Sequence, residues 1–275
     1  MELACNYSPQ LIELLRAKEV DIDYIKLALY EGYYDGFEND SGLKPVLLHG
    51  INPGLPERVG IASYAGMNWQ KVQDVISKYQ SPHLAVHLDC RREDWGNAKP
   101  GREAVIARLI AGARAWSENI SVPFLVENIP FSSYYEQRGT FSYTVEPEVI
   151  SRVCAEAGID LLLDLAHARV TAWYRGEPVQ DYLTQLPLDK VKEIHLSAPV
   201  MTEDTGFRDR HLEMTEFDYQ LLKWILKETS PRIITLEYGG PGPNQAWRSN
   251  TAALSRQLLR IREIIAENIT GKQVK

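Results

Sequence analysis

The stretch Phe124-Leu125-Val126-Glu127-Asn128 carries the reading of the fold. Three bulky apolar residues run directly into a carboxylate and an amide. The run is too short for a helix, and it is apolar on both alternating faces. That is the pattern of a parallel strand buried on both sides. Its chemistry sits at its C-terminal end. The same shape recurs outward in both directions. Leu161–Asp164, Glu193–Leu196 and Ile233–Glu237 follow it, and Leu3–Asn6, Tyr24–Leu29, Val46–His49 and Leu84–Leu88 precede it. These make eight strands.

Helical stretches fill the spaces between them. Ser8-Pro9 opens the first, with Ser as N-cap, Pro at the first helical position and Leu11, Leu14 and Leu15 on one face. Trp69–Tyr79, Gly101–Asn119, Pro147–Ala157, Asp181–Leu186, Phe217–Lys227 and Thr251–Ile265 continue the series. Gly101–Asn119 carries Ile106, Leu109, Ile110 and Ala113 on one side. The stretch from Tyr30 to Lys44 has no clear pattern. Eight strands alternating with helices over this length predict a single (β/α)8 TIM barrel of class α/β, one domain spanning residues 1–275. A doubly wound open sheet is the alternative, but no Gly-rich phosphate loop follows the first strand.

Composition narrows the classes. The chain has 275 residues, 44% hydrophobic and 24% charged, which excludes disorder and disulfide-stapled mini-proteins. No apolar run approaches the roughly 20 residues of a membrane helix. No basic and apolar leader is visible at Met1–Tyr7. Cys5, Cys90 and Cys154 are odd in number and far apart, so reduced thiols and a cytoplasmic location are expected. The net charge of −7 tilts against non-specific nucleic-acid binding.

The ionisable residues gather at the strand ends. His49 ends the third strand, Glu127 the fifth, Asp164 the sixth and Glu237 the eighth, while His87 lies in the fourth and His195 in the seventh. His167 follows Asp164 by three residues, and a loop after the seventh strand holds Asp209-Arg210-His211. Five of the six histidines fall in this set; His83, at a strand start, does not. In a barrel, these ends converge on the top face. Four carboxylates and five imidazoles in one pocket would suffer repulsion and desolvation unless cations bridged them. The donors are nitrogen and oxygen alone, which suits catalytic iron, zinc or manganese. Nine donors are too many for one ion and suit two or three divalent ions, with Glu127 placed to bridge.

The late-strand series Glu127, Asp164, His195 and Glu237 resembles the four-ligand core of the xylose isomerase-like TIM-barrel superfamily. The longer series of His49, His87, Glu127, Asp164-Leu165-Ala166-His167, His195, Asp209-Arg210-His211 and Glu237 is similar, in order, to the trinuclear pattern of endonuclease IV. Asn6-Tyr7-Ser8, Val126-Glu127-Asn128, His195-Leu196-Ser197 and Thr235-Leu236-Glu237-Tyr238 resemble a third branch. That branch is the multinuclear non-haem iron oxidases that modify cysteines in ribosomal peptides. At the position of His167 it usually has Asn, so His167 would strengthen a third site. These resemblances imply three sets: His49, His87 and Glu127; Glu127, Asp164, His195 and Glu237; and His167, Asp209 and His211.

Three activities follow as expectations. The favoured one is iron-dependent oxidation of a thiol-bearing peptide or small molecule, with Glu127, Glu237 and His87 as catalytic residues and a partner protein left open. The second is metal-dependent phosphodiester hydrolysis, with Arg91, Arg92, Arg138 and Arg175 as phosphate contacts. The third is sugar isomerisation, with Glu127 and Glu237 moving a proton. Substrate contacts are expected from Asn6, Asn128, Arg91, Tyr135, Arg138 and Trp173. The aromatic segment Phe131–Tyr143 reads as a lid or a surface strap. Cys90 reads as a buried thiol, and Gly239-Gly240-Pro241-Gly242-Pro243 would permit close backbone approach to an anion.

Overall fold

A computed structural model describes residues 1–29, 37–51, 57–204, 206–240 and 243–273. Eight parallel strands close into a barrel: β1 (Glu2–Asn6), β2 (Tyr24–Leu29), β3 (Val46–Ile51), β4 (Leu84–His87), β5 (Phe124–Glu127), β6 (Asp160–Asp164), β7 (Val191–Leu196) and a last strand at Ile233–Leu236. Each predicted strand is present, with ends shifted by two residues at most. Residues 30–36, part of the stretch without a pattern, lie outside the described residues.

The helices between the strands are α1 (Pro9–Ala17), α2 (Trp69–Tyr79), α3 (Arg102–Asn119), the short α4 (Ser133–Gln137), α5 (Pro147–Ala157), α6 (Leu165–Arg175), α7 (Val179–Thr184), α8 (Glu216–Glu228) and α9 (Thr251–Gln273). They pack on the outside, except the short α4, whose Tyr135 lines a cavity at the strand ends. Ser8 caps α1 as the sequence predicts, its Oγ accepting from the Leu11 N–H at 3.1 Å. Helix α6 is absent from the sequence reading. Seven of its eleven residues are buried, so it shows no amphipathic stripe to read. The segment after β7 is not a loop but an antiparallel hairpin, β8 (Ala198–Thr202) and β9 (Gly206–Leu212). The Ile233–Leu236 strand is therefore β10, and it closes the barrel between β7 and β1. The hairpin was missed because the charged run Arg208-Asp209-Arg210 lacks apolar alternation.

The main core lies between the strands and the helices, with Leu109, Ile150, Leu163, Leu222 and Leu254 fully buried. Inside the barrel, Ala4, Leu47 and Ile233 form one small apolar cluster and Ala85, Leu125 and Leu162 another. Side chains alternate along a strand, so the inward residues two positions on are Asn6, His49, His87, Glu127, Asp164 and their neighbours. The apolar floor thus carries a polar upper layer. Strand register levels that layer: His87 pairs with Glu127, and Asp164 with His195.

One glycine is needed for this packing. A Cβ at Gly112 on α3 would stand 1.9 Å from the Val59 carbonyl oxygen. The close approach presses residues 57–60 against β4. There the His87 N–H donates to the Glu57 carbonyl at 3.0 Å, and the Val59 N–H to the His87 carbonyl at 3.1 Å.

Candidate metal centre

The upper layer brings together two groups of donor atoms, each mutually within 4.8 Å: His49, His87 and Glu127, and then Glu127, Asp164, His195 and Glu237. Glu127 is common to both. Its Oε2 lies 3.0 Å from His49 Nε2 and 3.3 Å from His87 Nε2, and its Oε1 lies 3.3 Å from His195 Nδ1. His195 Nδ1 also lies 3.5 Å from Glu237 Oε1.

The remaining three residues meet beside these groups. His211 Nε2 is 2.8 Å from Asp209 Oδ2, and His167 Nε2 is 3.6 Å from the same oxygen and 3.8 Å from Asp164 Oδ2. Asp209 and His211 arrive from β9: Asp209 pairs with Pro199, and His211 lies in the register shift before Leu212. His211 takes a left-handed φ of 49°, uncommon for a residue with a side chain, at this irregularity.

Each donor is steered by a second contact. Asp164 caps α6: its Oδ1 accepts from the His167 N–H at 2.7 Å, leaving Oδ2 without a hydrogen-bond partner. His167 Nδ1 sits 2.8 Å from the Asn128 carbonyl, which turns Nε2 toward Asp209. Asp209 Oδ1 accepts from the Ser197 hydroxyl and the His211 N–H. Asn128 bridges β5 and β6 by exchanging hydrogen bonds with the Asp164 backbone at 3.0 and 2.8 Å.

Two residues missed from the sequence complete the polar layer. Lys26 on β2 is buried and forms an ion pair with Glu237. Glu193 lies one inward position below His195, with its Oε1 3.0 Å from His195 Nε2 and its Oε2 2.6 Å from His83 Nε2. The Thr235 hydroxyl donates to it as well. His83, which the sequence sets apart, is therefore part of the support beneath the site. The signals were available: a lone Lys in an apolar strand, and a Glu two residues before a His, must share the polar face.

Burial and neighbouring charges shift these groups in both directions. Burial, reinforced by Glu237, Glu127 and Asp209 and opposed by His167, pushes Asp164 up to about 7. Burial and Lys26 favour neutral His195, but Glu237, Glu193 and Glu127 outweigh them and raise it to about 10. Burial and the Lys26 charge push His49 down to about 4, against Glu127. Burial resists ionisation of Glu127, yet His49, His87 and His195 hold it well below the carboxylate range.

The donor set fits divalent ions. His49 Nδ1, Glu127 Oε2, Asp164 Oδ2 and His211 Nδ1 are buried without hydrogen-bond partners, although carboxylates and imidazoles crowd around them. Close approach without hydrogen bonding is what ligands arranged around a cation require.

Above the site opens a cavity of about 590 Å³. His87 and His211 are 31% and 27% exposed and face it, while Asp164 and His195 lie fully buried beneath. Of the residues expected to contact substrate, Asn6, Arg91 and Tyr135 lie on the cavity wall; Arg91 is held by Asp89 at 2.7 Å. Three expected contacts are placed elsewhere. Asn128 is buried between strands, as above. Arg138 stacks on the Tyr134 ring, 3.6 Å away. Trp173 is half exposed and packs on Phe207 of the hairpin, because α6 carries it away from the mouth.

Arg92 and Arg175, the other expected phosphate contacts, are tied to the Glu136 carbonyl and to Glu177. The Phe131–Tyr143 segment folds as α4 and a short 3-10 turn, with Phe131 in a small core of its own. Of the Gly-Pro run, Pro241 and Gly242 lie outside the described residues. Cys90 is buried, and burial raises its thiol to about 11.

Comparison with known proteins agrees with this architecture. Solved structures similar over nearly the whole chain include a D-tagatose 3-epimerase-like protein (TM-score 0.58, 16% identical, 100% of both chains). They also include a xylose isomerase domain protein from Alicyclobacillus acidocaldarius (TM-score 0.56, 15% identical, 98% and 99% of the two chains). At that identity they show the fold, a xylose isomerase-like TIM barrel. A UPF0276 protein of Bordetella pertussis is 29% identical over 176 residues, 60% of each chain. One from Acaryochloris marina is 26% identical over 164 residues, 56% of this chain and 55% of its own. The chain thus spans about 60% or less of these two relatives' length. Residues 37–266 match the family described as RiPP precursor modification enzyme MbnB/TglH/ChrH, and the chain belongs to that family.

Proposed function

We propose that the protein is a metal-dependent enzyme that oxidatively modifies a cysteine thiol in a ribosomally made precursor peptide, with two or three non-haem iron ions. The observation that carries this reading is the pair of donor groups sharing Glu127 beneath a cavity large enough for a side chain and its flanking backbone. Family membership supplies the peptide as substrate class.

His49, His87 and Glu127 would hold one ion, Glu127, Asp164, His195 and Glu237 the second, and His167, Asp209 and His211 a third. When bound, iron supplies the electron transfers that couple thiol oxidation to dioxygen reduction. The chain does the rest. Glu127 holds the two inner sites at a fixed spacing, and Glu193 and Asn128 hold His195 and His167 in orientation. Exposed His87 marks the side at which a thiol would arrive, with Asn6 and Tyr135 on the walls. Three unpaired, buried cysteines support a cytoplasmic setting.

One observation favours a second reading, phosphodiester hydrolysis: His167 approaches both Asp164 and Asp209, completing the third donor set of the endonuclease IV-like pattern. The test is metal analysis by mass spectrometry on protein purified without added metal or chelator, beside an iron-sensitive spectrum. Two or three irons per chain with the signal of a coupled pair support the oxidase. Zinc or manganese at that stoichiometry moves the reading to hydrolysis, and one metal per chain to an isomerase.

A further inference from the structure

Arg248 is only 4% exposed, and its Nε has no hydrogen-bond partner. Arg58 also leaves its Nε unbonded, but its Nη2 pairs with Asp94 at 2.9 Å, and Arg169 pairs with Asp218. Among the described residues Arg248 has no carboxylate in ion-pair reach. Buried charges are normally paired, because their desolvation otherwise goes uncompensated.

A second guanidinium stands close by. Arg210 on β9 lies 5.0 Å from the centre of the Trp247 ring, and Arg248 lies 5.6 Å from the same ring. Arg210 likewise makes no ion pair among the described residues. All three side chains line the cavity. The other cations there are spoken for: Lys26 by Glu237, Arg58 by Asp94 and Arg91 by Asp89. Uncommitted positive charge is therefore confined to one side of the mouth. Gly240 packs closely beneath Arg248, since a Cβ there would stand 3.2 Å from Nη2, and the space for a ligand is the cavity that the guanidinium lines.

We propose that Arg248 and Arg210, flanking Trp247, form a carboxylate-binding subsite that anchors the peptide substrate and sets which of its residues reaches the donor cluster. Guanidinium forks match a carboxylate in two-point hydrogen bonding, and the indole gives the anchored backbone a flat wall. On a peptide the carboxylate comes from the chain terminus or from an acidic side chain. The peptide nature of the ligand rests on the proposed function; the anion site itself rests on the two arginines.

The test is calorimetric binding of thiol-free peptides to the protein as purified with its metals. The probes are an acetylated glycyl-glycyl-serine with a free terminal carboxylate, the same peptide as its terminal amide, and that amide with an internal glutamate. The free carboxylate should bind at least about tenfold more tightly than the amide, as expected for charge-assisted hydrogen bonds. Arg248→Met should abolish that preference and Arg210→Met reduce it, in variants whose circular dichroism matches the parent. Recovery of affinity by the glutamate assigns the subsite to acidic side chains; no recovery assigns it to the chain terminus.

Equal binding of acid and amide by the parent protein, which needs no variant, overturns the proposal. So does a carboxylate preference that survives in folded Arg248→Met, since the metals alone would then account for it. Inorganic phosphate binding more tightly than the peptide acid also overturns the carboxylate assignment. Because the probes lack a thiol, the result is independent of oxidation. A protein that prefers the acid but leaves cysteine peptides unmodified keeps the subsite and loses the proposed function.

Discussion

Glu193 grips His195 by its far nitrogen, 3.0 Å away, and this contact turns the Nδ1 edge of the imidazole toward Glu127, Asp164 and Glu237. The same carboxylate reaches His83 on the other side of the barrel interior, 2.6 Å away. Burial disfavours its charge, but His195 and His83 hold it well below the carboxylate range. An anionic acceptor in this position fixes the imidazole's tautomer and strengthens Nδ1 as a ligand.

Glu193→Gln keeps the shape and removes the charge. Metal affinity at the His195 group should fall by about 10- to 100-fold, the usual cost of losing a partner of a ligating histidine. Competition with a coloured chelator measures it. Unchanged affinity in a folded variant would show that Glu193 only packs.

Asp164→Ala and His195→Ala remove donors from the group that shares Glu127. Each should lower metal content by one ion per chain and abolish activity, while far-ultraviolet circular dichroism stays that of the barrel. Full metal content in both variants would reject the ligand assignment.

Lys26→Met removes the buried ammonium that pairs with Glu237 and tests whether a bound cation can replace it. In chelator-treated protein the change leaves Glu237 without its buried counter-ion, at a cost of about 3 kcal/mol. The melting temperature should drop by several degrees. Restoring the ions should close most of the gap, because a bound cation then compensates Glu237. An equal loss with and without metal would mean that Lys26 is only a structural brace.

The thiols should be silent in the native protein. Burial raises Cys90 to about 11 and Cys154 to about 12, and Cys5 further still. Iodoacetamide at pH 8 should label none of the three until denaturant is added, when mass spectrometry should count three. Rapid native labelling of Cys90 would contradict its burial.

Much of the barrel and the core of the site can be read from the sequence for one physical reason. Strands buried on both faces appear as short apolar runs, and in a barrel their C-terminal ends converge. Glu127, Asp164, His195 and Glu237 therefore announce themselves by where their runs stop, and their order supplies the resemblance. Helix α6 does not, because burial on nearly all sides erases the stripe that marks a helix.

What only the tertiary structure decided is which polar groups share an interior that is far apart in sequence. Lys26 and Glu237 are 211 residues apart, and His83 and Glu193 are 110 apart. Strand parity says that each points inward or outward, but closure of the barrel chooses its partner. Arg248 and Arg210 lie beyond the regular elements or on a charged hairpin, where no periodicity reports direction. Their shared cavity wall exists only once β9 folds over the barrel mouth. The sequence by itself determined the barrel strands, their order and the chemistry at their ends; the pairing that supports that chemistry came from packing those ends into one layer, and the uncommitted charge that faces a substrate from the segments folded over it.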